Sequence, residues 1–192
     1  EIVPILEKPV AVDRSMGDVH PEGNPHLHLN PHNIALVAKE LTTRLALIDA
    51  PHAEYYRSNY EHFSARWQQA IAEWKTNAAH LKGKTVVVHH RAFSYLLDWL
   101  GIKVVASLEP KPGIPPTSSH LESLLQQLTP NPADAIIRTP YEPDDGSKWL
   151  AKRTGSPSLV LPYTIGGDAE STDLYSLFER SITLLNGTIH AQ

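Results

Sequence analysis

From residue 84 onward, short apolar runs rich in β-branched residues alternate with segments of helical period, the pattern of a parallel sheet with crossover helices. Four strands are predicted, at 85–88, 103–106, 135–138 and 158–161. The helices between them are marked by Phe93, Leu96, Leu97 and Leu100, then by Ser119 with Glu122 as a capping box, then by Trp149 and Leu150 closing at Gly155. A last helix is expected over 173–185, ending near Gly187. Upstream the period is helical only. Asn30 followed by Pro31 reads as an N-cap and first helical position, after which Ile34, Leu41, Leu45 and Ile48 recur at helical spacing. A second helix starts at Pro51, where Tyr56, Tyr60, Phe63, Trp67, Ile71 and Trp74 fall at steps of three and four and form one aromatic stripe before Gly83. Such a stripe reads as core packing. Residues 1–30, with Pro4, Pro9, Pro21 and Pro25, sustain neither period and are expected to be an extended entry segment with at most a short strand. The expected fold class is α/β: a long linking helix followed by a four-stranded parallel sheet with helices on both faces.

Composition narrows the function classes. The chain has 192 residues, enough for a sizeable core, with 41% hydrophobic and 20% charged residues. With 17 Lys+Arg against 21 Asp+Glu the formal net charge is -4, which argues against nucleic acid or an anionic membrane as partner. No apolar run approaches the ~20 residues of a membrane-spanning helix, and no basic and apolar leader opens the chain, so a soluble protein without its signal peptide is expected. Cysteine is absent, which excludes disulfides, thiolate metal sites and cysteine nucleophiles. The chain holds 11 His, leaving imidazole and carboxylate as candidate metal ligands.

In an open parallel sheet, ligands bind outside the carboxyl ends of the strands. Those loops hold His89, His90 and Arg91 after the first strand, Glu109 after the second, Glu142, Asp144 and Asp145 after the third, and Asp168 after the fourth, beyond the Gly166-Gly167 pair. Alternation at a strand end sends His89 and His90 to opposite sides, so at most one enters a cleft. Glu109 reads as a ligand, as a hydrogen-bond acceptor behind one, or as a carboxylate holding loop N–H groups. Asp168 reads equally as a site carboxylate and as part of a surface loop. A second cluster sets His20, His26, His28 and His32 just before the first long helix, and His20, His28 and His32 are expected to be solvated. Phosphate loops and the Gly-x-Ser-x-Gly nucleophile elbow are missing, and Ser94 falls inside a predicted helix.

Four stretches carry a resemblance over essentially the whole chain. They are Gly23-Asn24-Pro25-His26; His90-Arg91-Ala92-Phe93-Ser94-Tyr95; Leu108-Glu109-Pro110-Lys111-Pro112-Gly113-Ile114-Pro115-Pro116; and Leu161-Pro162-Tyr163-Thr164-Ile165-Gly166-Gly167. In this order they resemble the metal-binding substrate-binding proteins of zinc and manganese ABC transporters, and the helix from Pro51 looks like the rigid helix that joins the two lobes there. The resemblance implies a periplasmic or surface-anchored protein that captures a divalent metal and delivers it to an ABC transporter permease. It implies that residues 1–30 are the remnant of an N-terminal lobe, 31–82 the helical linker and 83–192 the C-terminal α/β lobe.

The resemblance assigns metal ligation to His26 and His90, histidine at the second position being the zinc-type choice. Tyr163 stands close to where some members place a carboxylate ligand, so Asp168 is expected to substitute, with Glu170 and Asp173 behind it, and Glu109 is expected beside the site. Zn2+ is the expected cargo ahead of Mn2+, because two imidazoles and a carboxylate suit zinc. By the same resemblance, most of an upstream lobe, with a further histidine ligand, is expected to be absent from this chain. Surfaces left uncovered in this way imply a homodimer. Two rivals come from other classes: a zinc-dependent hydrolase with Glu109 as general base, and a non-catalytic interaction module with incidental histidines.

Overall fold

A computed structural model describes residues 2–189. Glu1 and residues 190–192, the outer ends of the expected first and last regions, lie outside the described residues. Strands β1 (Thr85–Val88), β2 (Lys103–Ser107), β3 (Ala135–Arg138) and β4 (Ser158–Val160) form one parallel sheet in the order β2-β1-β3-β4. The β-branched run of β1 is why it sits centrally: Val86, Val87 and Val88 are all buried, as a strand covered on both faces requires. Helices α1 (Pro31–Ile48), α2 (Ala53–Asn77), α3 (Ser94–Leu100), α4 (Ser118–Leu128), α5 (Asp145–Thr154) and α6 (Leu174–Thr188) complete the chain. One face of the sheet packs against α2, α3 and α6 in a core that includes Trp67, Leu96, Phe178 and Leu185. The other face packs on α4 and α5 through Leu124, Leu128 and Leu150. The expected α/β class, the four strands and the helices on both faces are therefore present.

The helix ends differ from expectation in physically readable ways. Asn30 caps α1 as expected, its side chain accepting from the His32 N–H at 2.9 Å. The segment from Pro51 first makes a 3-10 turn, Ala50–His52, and α2 begins at Ala53. The α4 cap is Thr117, which accepts from the His120 N–H, and not the Ser119–Glu122 box. Helix α6 runs through Gly187 to Thr188, and its own capping box joins Asp173 and Ser176. Among the described residues of the entry segment there is no strand, only the 3-10 turns Arg14–Met16 and Leu27–Leu29.

The aromatic stripe of α2 divides along its length. Trp67, Ile71 and Trp74 are buried, and the Trp67 indole donates to the Pro31 carbonyl at 2.8 Å. That bond ties the start of α1 to the core. The periodic apolar positions of α1 are covered unevenly, Ile34 packing against the core. Leu41 is 54% and Ile48 83% exposed, while only Pro31 and Asn33 of this helix are buried. The helix packs chiefly on α2, so its outward face meets no part of the sheet layers.

Candidate metal centre

His90 stands immediately beyond β1, where strand alternation still governs direction. His89 turns into the core and His90 outward, half-buried. The His90 Nδ1–H donates to Glu109 Oε2 at 2.7 Å. Glu109 follows β2, the neighbour of β1, and its N–H donates to the His89 carbonyl at 3.2 Å, so adjacent strands place the pair. The same carboxylate accepts the Gly113 N–H at 3.0 Å. Glu109 thus both holds its loop and fixes the His90 ring with the Nε2 lone pair outward. That is the arrangement of a metal-binding imidazole whose far nitrogen is held by a carboxylate.

His26 reaches the same place from the opposite end of the chain. Gly23 makes the entry turn at φ 98°, where a Cβ would lie 2.5 Å from Ile5 Cγ2 and 2.8 Å from the Leu6 carbonyl. Asn24 then serves as a bracket. Its Oδ1 accepts the His26 N–H at 2.9 Å, and its Nδ2 donates to Glu7 Oε2 at 2.8 Å and to the Arg91 carbonyl at 2.9 Å. Glu7, at φ 54°, also accepts from Arg91 and Ser94. The His26 loop is thereby bound to the segment that follows His90.

The two rings lie 5.9 Å apart between centroids, at 78°. They line a cavity of about 260 Å³ whose wall also includes His20, Asn24 and Glu7. A zinc–nitrogen bond of about 2.0–2.1 Å puts each ring centroid roughly 3 Å from the ion, so two imidazoles at the tetrahedral angle have centroids about 5 Å apart. The observed 5.9 Å is wider, so the two rings must draw together to share one ion. Burial, reinforced by the neighbouring His90, His28 and His20, pushes the His26 pKa down to about 4. At neutral pH its ring is uncharged and free to ligate.

The third expected ligand is elsewhere. Asp168 accepts the Ser171 and Glu170 N–H groups through Oδ1 and pairs with Arg180 through Oδ2 at 3.0 Å. Against the desolvation of partial burial, these partners hold its carboxyl below the usual range. Glu170 also pairs with Arg180, and Asp173 caps α6; none of the three lines the cavity. The loop instead brings Tyr163 forward, its hydroxyl 2.6 Å from His26 Nδ1. Burial, with Tyr141 beside it, raises the Tyr163 pKa, so the phenol stays protonated. His20, expected to be solvated, is exposed but stands on the cavity wall, while the His28 ring is engaged by the Tyr163 carbonyl at 3.1 Å. Among the described residues no three His, Asp or Glu side chains stand close enough together to hold one metal ion. Tyr163 had a signal in the sequence, the fourth family-like stretch, but a tyrosine is not read as a partner of histidine from spacing alone.

Comparison with known proteins gives this geometry a context. The high-affinity zinc uptake system protein ZnuA of Bacillus subtilis is 25% identical over 150 residues, which cover 78% of this chain and 47% of that protein. The chain thus spans about half the length of the curated relatives it matches. Its fold matches a crystal structure of ZnuA with a TM-score of 0.75 and 18% identity, over 88% of this chain and 61% of that one. It also matches the substrate-binding protein FpvC from Pseudomonas aeruginosa in complex with Mn2+, at a TM-score of 0.74 and 21% identity, over 94% and 67% of the two chains. The family model for ZnuA, zinc-uptake complex component A, periplasmic, matches residues 4–186, and the chain belongs to that family.

Proposed function

We propose that this chain is the metal-capturing portion of an extracytoplasmic substrate-binding protein, periplasmic or surface-anchored, that takes up Zn2+ and passes it to an ABC transporter permease. One observation carries the reading: His26 and His90, distant in sequence, converge at the carboxyl edge of the sheet with Glu109 behind His90. Both rings would bind zinc as neutral imidazoles. Asp168 would join them only after leaving Arg180, so water or groups from outside these residues would complete the coordination. Family membership supports transport as the context. The family is one of substrate-binding components and not of enzymes, so Glu109 is not retained as the base of a hydrolase.

Calorimetric zinc titration of the wild-type chain and of His26→Ala, His90→Ala and the double variant tests the site. A single saturable site is expected, weakened at least tenfold by either substitution and lost in the double variant. A double variant with wild-type affinity would overturn the assignment. The Mn2+ complex of FpvC motivates a second reading, manganese as cargo. An imidazole pair favours zinc, since manganese lies lowest in the affinity order, so excess Zn2+ is expected to displace Mn2+ completely. Equal affinity for the two metals would support the second reading instead.

A further inference from the structure

The two imidazoles are held from behind by unlike groups. Glu109, an ionised acceptor, stands behind His90, and Tyr163, a phenol, stands behind His26. The tyrosine is built firmly into place. Its ring meets those of His26, His28 and Tyr141 edge-on, at centroid distances of 5.3, 5.3 and 5.8 Å. Its carbonyl is engaged by His28 Nε2. The loop that follows depends on Gly167, where a Cβ would fall 2.8 Å from the Thr164 carbonyl and 3.1 Å from the Tyr163 nitrogen.

A neutral imidazole carries one proton, and the position of that proton decides whether Nε2 can bind a metal. If the phenol donates to Nδ1, the proton sits on Nε2 and the ring cannot ligate through that atom. If Nδ1–H donates to the phenol oxygen, Nε2 presents a lone pair to the cavity. A hydroxyl serves both states, since it can donate or accept. We propose that Tyr163 is a positioning residue of the metal centre, its hydroxyl oxygen accepting the His26 Nδ1–H and thereby committing His26 Nε2 to the metal. The inference rests on the reading of His26 and His90 as ligands. It adds a switchable, uncharged counterpart to Glu109. Metal binding draws the His26 proton to Nδ1, and loss of metal lets the phenol donate again.

Tyr163→Phe removes the hydroxyl and leaves the ring in its packing. Zinc affinity, measured by competition with a chromophoric chelator, is expected to fall roughly tenfold to a hundredfold, the usual effect of losing a group that orients a ligand. The same substitution in a His26→Ala background is expected to have no further effect, because its influence passes through His26. An equal loss in both backgrounds would make Tyr163 merely structural and overturn the proposal, as would unchanged affinity in Tyr163→Phe alone. Nitrogen-15 NMR of the His26 ring separates this result from failure of the site itself. In the zinc-free protein, Tyr163→Phe should shift the population of the two His26 tautomers, whereas unshifted tautomers count against the proposal whatever zinc does. If His26→Ala and His90→Ala both leave zinc binding intact, the metal-site reading fails on its own measurement.

Discussion

His26 shows at the scale of one residue how burial and protonation are linked. Its folded pKa lies near 4, against about 6.5 for an unperturbed imidazole. The folded state therefore resists a proton that the unfolded chain accepts. Between those values the unfolded state binds more protons, so stability falls as pH drops from about 6.5 toward 4 and is flat with respect to this group above 6.5. Thermal melts of the zinc-free protein across this range are expected to show that slope, and His26→Gln is expected to reduce it. An identical slope in the variant would mean that His26 is not the group being titrated. That His89 and His90 point to opposite sides was legible from strand alternation, and the family resemblance, not alternation, singled out His90. The engagement of Asp168 was not, because the sequence showed a carboxylate after two glycines but not that Arg180, on the following helix, reaches back to it. Glu109 was left open among three roles; in the structure it supports the His90 ring and holds the Gly113 N–H together.

At the scale of elements, β1 and β3 were legible because a buried parallel strand has few options besides a β-branched or apolar run, and β2 and β4 as short apolar runs between helical segments. Caps were less so. The Ser119–Glu122 spacing matches a capping box, yet Pro115 and Pro116 precede Thr117, whose backbone is extended at φ −94° and ψ 156°. An N-cap needs that extended backbone, so the hydroxyl two positions earlier took the role. Thr117→Ala is accordingly expected to destabilise the protein by about 1 kcal/mol, and Ser119→Ala by clearly less. Urea melts of both variants check the difference, and the reverse order would restore the sequence-based cap. The α1 stripe located the helix but not its cover, since periodicity marks a face that can be buried and not what covers it.

That uncovered face matters at the scale of the whole molecule. Leu36, Val37, Leu41, Leu47 and Ile48 of α1 are all exposed, as is Tyr55 at the start of α2. Val37, Leu41 and Ile48 fall on one stripe of the helix, and apolar surface removed from water contributes about 25 cal/mol per Å². Contiguous apolar surface on this scale favours association. This chain is expected to self-associate through this face at micromolar concentration, which sedimentation velocity across a concentration series would register as a rising weight-average coefficient. Leu41→Glu with Ile48→Glu places two charges on the stripe without disturbing a buried contact. This variant is expected to remain monomeric, with unchanged helical circular dichroism and unchanged zinc affinity, because the proposed ligands His26 and His90 lie at the carboxyl edge of the sheet. A wild-type chain that stays monomeric throughout the series would remove self-association from the account. A variant that still associates would shift the contact to another surface, such as the exposed Val104 and Val105 of the edge strand β2.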